Sequence, residues 1–166
     1  MRERIYCYAP VADADCRVLI LGTMPSVESL RQGFYYAHPR NAFWRIVADT
    51  FGAELPVTIE AKKRLLLSHH LALWDVLASC EREGSLDSAI LAPQPNDIPA
   101  LLKACPRIER VCLNGGTAAR LFERYQGGAL AGLERLRLPS TSPAYTLAYA
   151  KKLAAWRAAI GGDPQC

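Results

Sequence analysis

Residues 17–44 read RVLILGTMPSVESLRQGFYYAHPRNAFW, and the fold turns on how that stretch is read. Its opening, Arg17–Gly22 (RVLILG), is an unbroken aliphatic run of strand length that ends in glycine. A strand with no polar alternation is covered on both faces, the condition of a parallel sheet between helical layers. From Gly22 to Trp44 the chain passes through turn formers, three consecutive aromatics, a His-Pro-Arg-Asn and two more aromatics. Loops run through water, where large rings are a liability, so this composition points to a loop wrapped around a flat ligand. Asn41 is a good helix N-cap, and Phe43, Trp44, Val47 and Phe51 share roughly one face of a helix expected over Asn41–Phe51.

Outward from that unit, Pro56–Leu67 predicts a second helix with a Lys- and Arg-rich outer face, and Leu71–Val76 (LALWDV) a second strand followed by a polar loop. Three prolines in Ala92–Pro99 argue against regular structure there and lead into a short helix at Ala100–Ala104. Arg110–Leu113 reads as a third strand, and Asn114-Gly115-Gly116 turns the chain into a helix over Thr117–Tyr125. Leu136–Leu138 ends a fourth strand, after which Ser140–Pro143 is expected to cap a long last helix, Ala144–Ile160. Alternating strands and helices imply the α/β class: a single domain over residues 1–166 built on a four-stranded, mainly parallel sheet. Ligand sites in such sheets lie at the carboxyl ends of the strands. The loops at Gly22–Arg40, Asn114–Gly116 and Pro139–Pro143 should therefore converge on one crevice.

At 166 residues and 51% apolar the chain can bury one real core. A net charge of +4 is compatible with a polyanionic partner without demanding one. No run approaches the roughly 20 apolar residues that span a bilayer, and MRERIYCYAP does not resemble a secretory signal, so a cytoplasmic location is expected. Cys7, Cys16, Cys80, Cys105, Cys112 and Cys166 form no C-x-x-C pair; reduced, mostly buried thiols are the expectation, with a four-cysteine iron–sulfur cluster as the alternative.

The loops carry the candidate chemistry. Gly22–Ser26 lacks the spacing of a dinucleotide or P-loop site, which weakens any nucleotide-cofactor reading. Tyr35 and Tyr36 cannot both face the core from an extended loop, so one is a candidate stacking platform for a planar base. Asn41 either caps the helix or serves a ligand, His38 is an ordinary loop residue or a functional one, and Arg40 is a phosphate contact or a solvated charge. Asn114 either caps the next helix or offers its amide to a base edge. Ser140, Thr141 and Ser142 at a helix N-terminus would form either a simple cap or a phosphate cradle.

Taken together, GTMPSVESLRQGFYYAHPRNAFW and LPSTSPAY resemble the two signatures of the uracil-DNA glycosylase superfamily. The first has the spacing of the mismatch-specific uracil branch, from its G-x-N-P-G to its A-H-P-x-N-x-F-W. The second is similar to the H-P-S-P-L-S or N-P-S-G-L-S found elsewhere in the superfamily. The resemblance runs from Arg17 to about Trp156 and implies a three-layer α/β/α sandwich acting on a base flipped out of DNA. It departs at two places: Met24 stands where relatives place a water-activating Asp or Asn, and Leu138 where the uracil-specific branch has His. Both departures point to the hypoxanthine-DNA glycosylase branch, in which the resemblance implies that Asn41 is catalytic.

Under that resemblance the substrate is DNA containing a deaminated base, most of all deoxyinosine, and no metal, cofactor or membrane is required. Asn41 would position water and His38 would protonate the leaving purine. Tyr36, Asn114, Thr23 and Met24 would bind the base, and Ser140, Thr141, Ser142 and Arg40 the phosphates. Tyr145 is the candidate wedge filling the vacated stack, because Ser142 replaces the aligned Leu. Arg31, Arg40, Lys151 and Lys152 are candidates for a basic DNA-facing surface, and a monomer is the default. The rival readings are a mismatch-specific uracil or thymine glycosylase and, from another class, a non-catalytic binder of damaged DNA.

Overall fold

The computed structural model describes residues 3–128, 130 and 132–161. In chain order the strands are β1 (Arg4–Tyr6), β2 (Val18–Gly22), β3 (Leu71–Asp75), β4 (Leu77–Glu81), β5 (Leu91–Pro95), β6 (Arg110–Asn114) and β7 (Glu134–Leu138). The helices are α1 (Val27–Gln32), α2 (Phe43–Phe51), α3 (Ile59–Ser68), α4 (Ile98–Ala104), α5 (Gly116–Gln126) and α6 (Tyr149–Ile160).

The central sheet has the order β3-β2-β6-β7 and is parallel throughout. Alternate side chains of a strand point to opposite faces, and that period builds two cores here. Ile20, Leu71, Leu73 and Cys112 join the cluster formed with Phe43, Trp44, Leu66 and Trp156 of α2, α3 and α6. Leu19, Leu21, Ala72, Val111 and Leu113 face the other way, into the cluster holding Ile98 of α4 and Ala118 and Phe122 of α5. The aliphatic run at 17–22 is thus buried on both faces, as a sheet between helical layers requires.

A second sheet, β1-β4-β5, is antiparallel and lies outside the sequence-based expectation. The expectation of no regular structure over Ala92–Pro99 is corrected, because β5 occupies Leu91–Pro95. It sits at the sheet edge with register shifts against β4, the position in which a strand tolerates residues without an N–H. Helix α4 then begins at Ile98, capped by Asp97, whose Oδ1 accepts from the Ala100 N–H at 3.1 Å, with Pro99 in the first turn.

The last helix also differs. It begins at Tyr149 rather than Ala144, with Ala148 as its cap residue and no side-chain capping bond. Ser142 explains the delay: its Oγ accepts from the Ala144 N–H at 3.2 Å and its carbonyl from the Tyr145 N–H at 3.1 Å. Such local bonds compete with helix formation. The supposed loop at Gly22–Arg40 contains the short helix α1, whose N-cap Ser26 accepts from the Ser29 N–H.

Cys16, Cys80, Cys105 and Cys112 are buried, Cys7 is half-buried, and all five are unpaired; Cys166 lies outside the described residues. No helix among the described residues is long and apolar enough to cross a membrane.

Candidate active site

The carboxyl ends of the central strands meet in register, Gly22 beside Asp75 and Asn114 beside Leu138. The loops leaving them are pinned to one another. Trp44 donates its indole N–H to the Tyr35 carbonyl at 3.0 Å, holding the aromatic loop against α2. Trp156, fully buried on α6, donates to the Pro139 carbonyl at 2.8 Å and holds the loop after β7. The Ala42 N–H then donates to the Thr141 carbonyl at 3.0 Å, which fixes the first signature directly to the second.

Between them lies a cavity of about 400 Å³ lined by Thr23, Met24, Tyr36, Asn41, Asn114, Ser140, Thr141, Ser142 and Tyr145, all named from sequence as site residues. The two others stand apart: His38 and Arg40 line a second groove of about 800 Å³, which shares Tyr36, Asn41 and Tyr145 with the first. The groove also gathers Arg45 and Lys62, a cationic wall beside the cavity mouth. Tyr145, about half exposed, stands on the rim common to both.

Each polar group has a definite state. Asn41 Oδ1 accepts from the Phe43 N–H at 3.0 Å, which leaves its second lone pair and its amide N–H groups for a ligand. The expected capping role is corrected: the N-cap is Ala42, without a side-chain capping bond, and Asn41 stands one residue earlier, steadying the turn into α2 while it lines the cavity. Tyr35 is core, and Tyr36, in a left-handed conformation (φ 52°), packs its ring 4.3 Å from that of Phe43. Among the described residues the buried Tyr36 hydroxyl makes no hydrogen bond of normal geometry; burial, then Asp75, raises its pKa, and the neighbouring Asn114 amide opposes the rise.

Asn114 is held by Thr141 on both sides of its amide. Nδ2 donates to Thr141 Oγ1 and Oδ1 accepts from the Thr141 N–H, each at 3.0 Å. Asn114 keeps one donor and one acceptor for a base, while Thr141 is buried and already committed.

The expected cradle of open backbone N–H groups at a helix N-terminus is absent from the described residues. The Ser142 N–H donates to Ser140 Oγ at 3.2 Å, the N–H groups of Thr141, Ala144 and Tyr145 are also bonded internally, and α6 starts seven residues beyond Ser142. A phosphate grip here falls to the serine hydroxyls and the Ser140 N–H, which has no bond among the described residues. His38 Nδ1 accepts from the Arg40 N–H at 3.0 Å, so its other ring nitrogen is the one turned to the groove's contents. Lys152 is buried, with Nζ donating to the carbonyls of Ser142 at 3.1 Å and Tyr145 at 2.7 Å; it braces the loop rather than lying on an open basic face.

The family model of the uracil DNA glycosylase superfamily matches residues 9–160. This chain belongs to that superfamily. A Methanosarcina acetivorans protein named hypoxanthine DNA glycosylase is 38% identical over 138 residues, covering 82% of this chain and 85% of the relative. A Methanosarcina barkeri protein of the same name is 33% identical over 109 residues, 65% and 69% of the two chains. A solution NMR structure from Methanosarcina acetivorans, described as a candidate uracil DNA glycosylase, superposes with a TM-score of 0.83 at 33% identity, covering 96% of this chain and 98% of that one. The three-layer sandwich implied by the signatures is therefore the fold of this superfamily member.

Sequence reasoning missed one wall of this glycosylase pocket. The turn after β4 supplies Ser85, Leu86, Asp87 and Ser88, and it is clamped to the first signature. Arg82, buried, donates to the Pro25 carbonyl and, at 2.7 Å, to the Gly84 carbonyl, while the Val27 N–H donates to Ser85 Oγ at 2.8 Å. The floor includes Asp75, 3% exposed, whose Oδ2 is buried with no partner. Burial raises the Asp75 carboxyl from its ordinary 3.8 to about 7; Arg82 opposes the shift and Asp87 adds to it. The signal was a carboxylate closing the apolar run LALWD, a residue type that strand interiors shun.

Proposed function

We propose that this chain, a DNA glycosylase by family, hydrolyses the N-glycosidic bond of deoxyinosine flipped out of DNA, releasing hypoxanthine and leaving an abasic site. The observation that carries the reading is the pair Met24 and Asn41 in one pocket. A thioether neither orients nor deprotonates water, and the resemblance to the hypoxanthine branch implies that the amide of Asn41 takes that role. The names of the two Methanosarcina relatives support hypoxanthine as the base.

The target nucleotide must leave the stack, because its C1′ atom is out of reach inside a duplex. The ring of Tyr36, backed by Phe43, forms a wall against which the base lies. Asn114 offers its remaining donor and acceptor to the base edge, with Thr23 and Met24 completing the enclosure. Asn41 Oδ1 holds a water through its second lone pair against the oxocarbenium-like sugar, a positioning role since an amide is no base at neutral pH. Ser140 and Ser142 grip flanking phosphates, Arg40 follows the strand along the adjoining groove, and Tyr145 fills the gap in the stack; His38 lines that groove and not the cavity, so it contacts the strand rather than protonating the purine. The protein acts as a single glycosylase domain, a monomer, in the cytoplasm.

Single-turnover excision tests this with end-labelled duplexes carrying one deoxyinosine or one deoxyuridine, cleaved by alkali at abasic sites. Cleavage at deoxyinosine is expected, and Asn41→Ala is expected to abolish it while retaining binding to the same duplex. Cleavage at deoxyuridine alone would replace the reading by the uracil one, which the description of the NMR neighbour favours. Binding without cleavage of either would leave a damage-binding protein.

A further inference from the structure

The pocket floor holds a carboxyl group that the reaction as described above does not use. Asp75 ends β3, and its backbone carbonyl is fixed by the Asn96 amide at 2.8 Å. Its side chain makes no hydrogen bond among the described residues, although Oδ2 is wholly buried. The space it occupies exists because residue 22 is glycine: a Cβ there would stand 2.7 Å from Asp75 Oδ1 and 2.5 Å from the Tyr36 hydroxyl. Two buried polar groups without partners thus sit over the same glycine, in the cavity that receives the base. Leaving a buried polar group unpaired costs about 1–3 kcal/mol, a cost that a ligand pairing with Asp75 Oδ1, the carboxyl oxygen that is not wholly buried, would offset.

We propose that Asp75 acts as a neutral carboxylic acid that donates a hydrogen bond to the departing base. This rests on the glycosylase reading above. As the C1′–N bond breaks, its electron pair passes to the base, and a donor on the pocket floor stabilises that growing charge. An ionised carboxylate in the same place would repel it. No histidine stands at the start of the second signature, where Leu138 is buried, so the charge has no imidazole donor from that side.

The surroundings keep the proton on. Facing Asp75 are Tyr36 and Tyr35 from the aromatic loop, Cys7 and Tyr8 from the segment after β1, Arg82 following β4, and Asp87 from the pocket wall. Arg82 is the sole cation among them, and its guanidinium hydrogen-bonds the carbonyls of Pro25 and Gly84 rather than the carboxyl. Burial outweighs that cation and holds the acid form near neutrality.

The test is the pH dependence of single-turnover excision of deoxyinosine by wild type, Asp75→Asn and Asp75→Ala. Wild-type rate should fall about tenfold per pH unit once the carboxyl has titrated. Asp75→Asn keeps a donor that does not titrate, so its profile should be flat from pH 6 to 9. Asp75→Ala should be slow at every pH, at least about a hundredfold below wild type at pH 6. A descending limb in Asp75→Asn that matches wild type, or an alanine variant as fast as wild type, overturns the proposal. Binding of a duplex carrying non-hydrolysable 2′-fluoro-deoxyinosine separates the two readings. A wild type that binds this analogue less tightly as pH rises, against a pH-independent Asp75→Asn, supports the role of Asp75 even if excision of deoxyinosine fails. Two parallel binding curves refute it.

Discussion

Replacing Asp75 by asparagine should change how stability depends on pH, whatever the substrate. In the folded chain the carboxyl holds its proton up to about pH 7, while in the unfolded chain it loses it near 3.8. Between these values the folded state binds the extra proton, so wild-type unfolding free energy falls as pH rises through the window and levels off above it. The interval is roughly three pKa units at about 1.4 kcal/mol each, on the order of 4 kcal/mol. Asparagine has no proton to lose. It brings an amide whose buried groups cost about 1–3 kcal/mol, but that cost is the same at every pH. The difference in stability between variant and wild type should therefore move in favour of asparagine by about 4 kcal/mol from pH 4 to pH 8. For a chain of this size that corresponds to a relative rise in Tm on the order of 10 °C. Thermal melts followed by circular dichroism across that range, with urea titrations at both ends, measure it. Two stability curves that stay parallel within about 1 kcal/mol would show that Asp75 ionises normally in the folded protein.

Two further substitutions probe the same pocket. Tyr36→Phe removes a buried hydroxyl that has no partner, so the free protein should gain about 1 kcal/mol in a denaturant titration while excision falls about tenfold; unchanged excision would mean that the hydroxyl never meets the base. Gly115→Ala forces φ +94° on a residue with a side chain and places its Cβ 3.0 Å from Ser140 Cβ, so stability should drop by on the order of 1–3 kcal/mol, with DNA affinity weakening as Ser140 is displaced. Wild-type stability with intact binding would refute that account.

What the sequence displayed most clearly was hydrophobic period. RVLILG, LALWD and RVCL are dense aliphatic runs, and all became central strands, because burial on both faces leaves a composition that no loop tolerates. β4 (LASCE) and β5 (LAPQP) mix small, polar and proline residues; β4 pairs with β1, far back along the chain, and β5 with β4 through an irregular register. Local pattern carries no trace of such pairing. The serines after β7 misled for a related reason. Hydroxyls can cap a helix or bond to their own loop, and here Ser140 and Ser142 do the second, which shortens α6 and uses up most of the N–H groups of the expected cradle. Nine of the eleven residues singled out from the sequence line the cavity, because spacing fixes which loop residues reach a strand's carboxyl end, while His38 and Arg40 line the adjoining groove. Asp75 stayed hidden because a carboxylate closing a strand reads as solvated until its burial is known.

The pocket suits a leaving base better than a bound cofactor. Its floor offers Asp75 and Tyr36, both unpaired and both drawn toward their neutral forms by burial, so the site opposes fixed negative charge and still presents polar groups. Apart from Arg82, whose guanidinium is taken up by the carbonyls of Pro25 and Gly84, the cations lie elsewhere: Arg40, Arg45 and Lys62 line the adjoining groove, where they can meet a phosphate backbone without neutralising the floor. Such a division holds the strand by its charge outside and keeps the few polar contacts inside for the base. Contacts that strengthen only as the base becomes anionic accelerate bond cleavage, whereas equally strong contacts to the intact nucleotide would only tighten binding. The unsatisfied floor is therefore the part of the fold where stability has been given up for turnover, and Gly22, by having no side chain, is the residue that makes room for it.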